Sequence, residues 1–272
     1  MRFEVLGPVE VLHEGRSYVP SAAKLRQMLA LLLLNHNQVV TVAALQEEVW
    51  GTTPPRSGAA AVHTHMMQLR KALEAPGSTD SPSHRLVTSG RGYVLRCAPA
   101  ELDTHRFDAL VTAGRLAVSD GQLAAGSSLL ASALSLWHGP ALADVTTGAL
   151  LATSVLALEE RRLEVLAERI DVDLRLGRHH ELVAETTALV QRHPGREVFT
   201  AQLMTALNRS WRRADALNAF HRLREHLARQ YRQSPSRELH RLYSSILSSD
   251  SDGYFTVDEP FRLSLDLFSA SR

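Results

Sequence analysis

The stretch VHTHMMQLRKAL, residues 62–73, and the LVTSGRGYVL that follows at 86–95 decide the fold of the first hundred residues. At about 100° per residue, Val62, Met66, Leu69 and Leu73 fall within roughly 60° of one another on a helix and form its buried stripe. Nearly opposite lie Ala60, Thr64, Met67, Gln68 and Lys71, with His63 and Arg70 flanking one side and His65 the other. The second stretch puts a glycine-containing turn between two apolar runs, the pattern of a β-hairpin. That hairpin region carries Arg85, Arg91 and Arg96, and no acid occurs between 81 and 96.

Working upstream, GTTPPRSG, 51–58, holds two prolines and two glycines and reads as a loop. Ser57 is placed to cap the helix that starts near 58 and stops before Pro76-Gly77, and Thr41 to cap a shorter one, VAALQEEVW, 42–50. NQVVT, 37–41, is a short extended connection. KLRQMLALLLLN, 24–35, has a broad apolar surface and is expected to be the central helix, with Ser21 as its N-cap. In FEVLGPVEVL, 3–12, apolar side chains recur with a period of two at Phe3, Val5, Val9 and Val11, so the chain opens in strand, interrupted by Gly7-Pro8; RSYV, 16–19, is a third short strand. Small sheet, three helices, hairpin is the layout of a winged helix-turn-helix.

The face opposite the buried stripe has the chemistry for a DNA major groove. Gln68 offers two hydrogen bonds to an adenine edge, Lys71 reaches guanine or phosphate, and Met67 and the Thr64 methyl suit a thymine methyl. The same face also fits an ordinary solvated helix; the basic, acid-free hairpin tilts the reading to DNA, with a wing tip for minor groove or phosphate.

EVWGTTPPRSGAAAVHTHMMQLRKAL, 48–73, with LVTSGRGYVL, 86–95, resembles OmpR-type winged-helix DNA-binding domains, and most closely those of the Streptomyces antibiotic regulatory protein family. His63 stands for a usual glutamine, His65 for a usual aromatic and Ser89 for a wing arginine that Arg91 replaces two residues on. The resemblance implies phosphate or wing roles for Trp50, Arg56, His63, His65, Arg70 and Arg91 beside base contacts from Thr64, Met67, Gln68 and Lys71. For Trp50, simple packing at a helix end is an equal alternative.

From Leu102 the pattern is helical, in pieces of 10–18 residues punctuated by glycine and proline. LRLGRHHELV, 174–183, aligns with LNRSWRRADAL, 207–217, once one residue is inserted; Gly177 then matches Trp211, 34 residues on, the tetratricopeptide period. SDGQLAAGSSLLASALSLW, 119–137, reads as a further degenerate copy, and a plain helical bundle is the alternative. SLWHGPALADV, 135–145, and the stretches 176–197 and 202–228 are similar to the bacterial transcriptional activator domain. The expected fold is therefore mainly α with a small β component: a winged helix over 1–97, an all-α tetratricopeptide-like domain over 102–247, and an acidic tail, 248–272, poorly ordered or loosely docked.

The 272 residues are 44% hydrophobic and 22% charged, ordinary globular proportions. Net charge is +1, distributed as +3 over 1–97 (ten basic, seven acidic), +1 over 98–247 and −3 over 248–272. The single cysteine, Cys97, excludes an intramolecular disulfide. The longest apolar run, MLALLLL, is far short of the roughly 20 residues of a membrane span, and MRFEVLGPVEV lacks a signal-peptide pattern, so a cytoplasmic protein acting at the nucleoid is expected. No HExxH, GxSxG or GxGxxG pattern occurs, and His63 and His65 diverge by about 160° on a helix, too far apart in direction to share one ion. Neither an enzyme nor a cofactor is expected.

The resemblance implies a transcriptional activator that binds direct repeats in double-stranded promoter DNA as a head-to-tail homodimer, recruits RNA polymerase holoenzyme with its sigma factor, and switches on an antibiotic gene cluster. By the same resemblance the loop 51–58 is expected to contact polymerase, with a rigid connector as the alternative. The competing reading is a helical-repeat adaptor whose winged helix touches protein rather than DNA.

Overall fold

A computed structural model describes residues 1–73 and 85–248. The expected helix stop at Pro76-Gly77 and the tail from 249 onward lie outside the described residues.

Packing divides the chain into two compact units, the first made of Met1–Thr112 with Ser132–Leu163. It opens with an antiparallel sheet of β1 (Arg2–Glu4), β2 (Glu10–His13) and β3 (Arg16–Ser17), in register Phe3↔Val11 and Leu12↔Ser17. The period of two buries Phe3, Val5, Val9 and Val11 completely. Next come α1 (Ala23–Leu34), α2 (Val42–Trp50) and α3 (Gly58–Ala72). A second sheet, ordered β4 (Val40–Thr41), β6 (Gly92–Leu95), β5 (Leu86–Ser89), closes the unit's winged helix with the hairpin.

Helix α1 is the core element: Met28, Leu29, Leu32 and Leu33 are fully buried between sheet and helices. Each such side chain contributes about 1.5–3 kcal/mol of burial, so this helix holds the unit together. Its N-cap is Ala22, with no side-chain bond, rather than Ser21. The helix starts one residue later than the Pro20-Ser21 signal placed it. Thr41 does cap α2, its hydroxyl accepting the Ala44 N–H at 3.1 Å. Ser57 occupies the N-cap of α3 without a side-chain bond. The stripe of α3 is buried as its spacing requires, with Val62, Met66 and Leu69 at 0% and Leu73 at 1% exposure.

The first unit also takes in segments beyond the winged helix. The chain continues through α4 (Asp103–Ser119) and α5 (Leu123–Leu134) into α6 (Ala149–Arg175), the longest helix. The LWHGPALADV segment lies along the β1–β2 connection: His138, Leu142 and Ala143 donate backbone N–H bonds to the carbonyls of Leu6, Val5 and Gly7. Asp144 accepts the Val9 N–H at 2.7 Å and pairs with Arg26, while buried Asp103 accepts Val5 and Leu6 N–H at 2.7 and 2.8 Å. These carboxylates satisfy strand-end N–H groups that would otherwise be buried without partners.

The second unit comprises Ala113–Ala131 and the chain from Glu164. It holds the end of α4, most of α5, the end of α6, and α7 (His179–Arg192), α8 (Glu197–Arg209), α9 (Arg213–Tyr231) and α10 (Arg237–Ser248). Its inter-helix turns repeat one geometry. Gly121, Gly177 and Trp211 take φ of +79°, +82° and +63°. Each donates its N–H to the carbonyl three residues back, and the next residue donates to the carbonyl five back, as in Gln122 to Ala117, Arg178 to Asp173 and Arg212 to Leu207. This is the helix stop that a left-handed residue makes. The alignment of Gly177 with Trp211 is thus an alignment of two equivalent turns, and the 119–137 segment begins with a third. Phe220 sits at the heart of this unit's core, stacked on Tyr243 at 4.4 Å.

Candidate nucleic-acid interface

The outward face of α3 is built by what the helix buries. With Val62, Met66, Leu69 and Leu73 turned inward, Thr64, Met67, Gln68 and Lys71 are all exposed, and Met67 is 62% accessible. The four candidate base-contacting residues therefore share one surface.

Two of them have internal bonds that set what they offer. The Thr64 hydroxyl donates to the Ala60 carbonyl at 3.1 Å, so it presents acceptor lone pairs and a methyl. Gln68 Oε1 lies 3.2 Å from His65 Nδ1, which takes up one lone pair of the amide oxygen and leaves the NH2 donors available. Bidentate reading of adenine uses both ends of that amide, and the oxygen has a second lone pair with which to accept.

The flanking residues fall into two groups. His65 stacks on Trp50 with ring centroids 6.4 Å apart at 21°, and Lys24 Nζ lies 5.0 Å from the Trp50 ring centroid. Trp50 is half-buried and packs against the core. On the other side, Arg70 donates from Nε to the Leu86 carbonyl and from its terminal nitrogen to Thr88 Oγ1, both at 2.9 Å, and lies over the Tyr93 ring at 5.8 Å. His63 Nδ1 is hydrogen-bonded to the Tyr93 hydroxyl. Burial pushes the Tyr93 phenol up, partly offset by the Arg70 charge. Arg70 and His63 thus fasten the hairpin to α3. Arg56, in the loop 51–58, and Arg91, at the hairpin tip, are exposed.

Sequence reasoning missed a buried carboxylate in the helix that precedes α3. Glu48 is 2% exposed, on the inner side of α2 next to Leu45. It accepts N–H bonds from Gly148, from Leu150 at 3.0 Å and from Leu151 at 3.1 Å, and a bond from the Gln27 amide at 3.1 Å. A negative group at these open N–H donors also complements the positive end of the α6 dipole. The one available signal was positional: Glu48 stands three residues after Leu45, on the helix's apolar side.

Two family models match the chain. The one described as transcriptional regulatory protein, C terminal, covers residues 16–95, and the bacterial transcriptional activator domain covers residues 102–247. Regulatory protein DnrI of Streptomyces peucetius is 40% identical over 253 residues, spanning 92% of this chain and 93% of that protein. Regulatory protein AfsR of Streptomyces coelicolor is 39% identical over 92% of this chain, which corresponds to 24% of the longer AfsR. Among solved structures, Mycobacterium tuberculosis EmbR in complex with a low affinity phosphopeptide superposes with a TM-score of 0.86 at 33% identity, covering 91% of this chain and 65% of EmbR. Among the described residues no helix is long and apolar enough to cross a membrane. With an OmpR-type winged helix followed by a bacterial transcriptional activator domain, this chain belongs to the Streptomyces antibiotic regulatory protein family of transcriptional regulators.

Proposed function

We propose that the chain activates an antibiotic gene cluster by placing α3 in the major groove of promoter DNA in the cytoplasm. Thr64, Met67, Gln68 and Lys71 face the bases. Arg91 enters the flanking groove or grips phosphate, Arg56 and Trp50 meet the backbone, and His63, His65 and Arg70 act from the flanks of the helix. The observation that carries this reading is the exposed face of α3, where a 62% accessible methionine sits among threonine, glutamine and lysine and is bordered by a hairpin that the helix itself anchors.

Residues 1–97 read the DNA, and 102–247 set the geometry of a head-to-tail homodimer on direct repeats. The loop 51–58, exposed throughout residues 51–57, contacts RNA polymerase holoenzyme and its sigma factor. Copies on one face of the duplex need repeats separated by about 10–10.5 bp or a multiple of that.

The test is to pull down fragmented genomic DNA with the folded protein at moderate salt and sequence what is retained. A few promoters sharing direct repeats at one-turn spacing are the expected result. Uniform enrichment, with and without added polymerase, overturns it.

A further inference from the structure

Trp211 is 89% exposed and sits at φ +63°, in the turn where its counterpart is Gly177. A bulky residue in left-handed backbone costs about 1–2 kcal/mol, and an indole left in water adds no packing in return. Such a residue marks a contact surface, since tryptophan supplies large rigid area at interfaces.

The surroundings of Trp211 are basic. Arg209 and Arg212 are exposed, and Arg212 shares its charge with Asp215 at 2.8 Å. The neighbouring turn adds His179 and His180. Burial, then the Arg209 charge, then His180 hold His179 below its usual range. Arg213 donates to the Leu247 carbonyl, so α10 ends beside this turn, and Leu247 is itself 50% exposed. The chain from 249 onward therefore leaves the described structure next to Trp211.

That departing segment, SDSDGYFTVDEPFRLSLDLFSASR, carries five acids against two arginines, with Tyr254, Phe255, Phe261 and Phe268 among them. We propose that residues 249–272 are the occupant of the Trp211 edge, their acids meeting Arg209 and Arg212 and an aromatic side chain covering the indole. The charges are opposite, and the tether starts at the site, so even a weak contact is favoured by a high effective concentration.

The experiment uses the full chain and the indole N–H signals of its three tryptophans, Trp50, Trp137 and Trp211. Trp211→Phe assigns one signal by its disappearance. In a second full-length protein, Asp250→Asn, Asp252→Asn, Asp258→Asn and Glu259→Gln remove four of the tail's five acids. The Trp211 signal is expected to move toward the solvent-exposed position in this variant, and to do so in the unaltered chain as salt rises, while Trp50 and Trp137 stay put. An unmoved Trp211 signal overturns the proposal, as does a shift of all three together. A signal indifferent to the tail but moved by added RNA polymerase also overturns it, assigning the edge to that partner.

Discussion

The Glu48 carboxylate accepts the backbone N–H of Leu151 at 3.1 Å, which ties the helix preceding α3 to the first turn of α6. Glu48→Ala strips the side-chain partner from three N–H groups, while the Gln27 amide keeps its 2.7 Å bond to the residue-48 carbonyl. Loss of about 2–4 kcal/mol is expected, since each orphaned buried donor costs on the order of 1–3 kcal/mol and the site partly relaxes. Glu48→Gln, which keeps one acceptor oxygen, should cost less. Urea unfolding of the two variants checks both the size and the order.

Gly148 stands where a Cβ would lie 2.2 Å from the Glu48 carbonyl oxygen. Gly148→Ala therefore pushes two backbones apart and should destabilise by at least about 3 kcal/mol, in the range of severe single substitutions. Gly121→Ala, at φ +79° with open space around it, should cost only the left-handed strain of about 1–2 kcal/mol. Thermal unfolding of the pair separates close approach from backbone strain.

Arg70 and Lys71 are adjacent in sequence and differ in task. Lys71→Ala and Arg91→Ala should each flatten the slope of log affinity against log salt by about 0.9, as a lost phosphate contact does. Arg70→Lys keeps the charge but loses the fork that holds Leu86 and Thr88. It should weaken promoter binding by about tenfold with the slope unchanged, because a lysine cannot reproduce bidentate geometry. Fluorescence anisotropy over a salt series distinguishes them.

Burial, reinforced by the Glu101 carboxylate and opposed by Arg85 and the N-terminal amine, pushes the Cys97 thiol up to about 11. Thiolate is the reacting form, so alkylation at pH 8 should be about a hundredfold slower in the native protein than in urea, and should rise about tenfold per pH unit until it levels off near pH 11. Mass spectrometry after timed iodoacetamide treatment measures this.

Burial lifts the Asp103 carboxyl to about 6 against the pull of the Leu6, Val5 and Thr104 N–H groups. Between about pH 4 and 6 the folded chain then holds a proton that the unfolded chain has lost. The contribution of this group is fully present below pH 4 and declines as pH rises through 6, by about 2–3 kcal/mol at most. The stability difference between the unaltered chain and Asp103→Asn should change across this window and be flat above it.

The winged helix was legible because its signals are periodic: the alternation through Phe3 and Val11 and the stripe through Val62 and Leu73 both follow from where a side chain must point. The equivalence of Gly177 and Trp211 was legible as spacing, although only the dihedral angles show that a tryptophan took a glycine's backbone. The exposed face of α3 could be read from the same arithmetic. The roles of Arg70 and His63 as fasteners of the hairpin could not, since they depend on which carbonyl and which ring come near. Glu48, Asp103 and Asp144 were missed for the same reason. Each satisfies N–H groups remote in sequence, Glu48 across 100 residues, and no local pattern encodes such a partner.

The bonds that run from Glu48, Asp103 and Asp144 to distant backbone bear on how hybrid regulators should be assembled. A chimaera spliced at the tidy border near residue 97 would pair one parent's strand ends and α6 start with the other parent's carboxylates, and would work only where both parents share that bonding pattern. A splice that carries 1–112 and 132–163 together from one parent keeps each of these donors with its own acceptor. Specificity transplanted this way moves as a packed body rather than as a sequence module, and the seam falls within α4, α5 and α6, where helix joins helix.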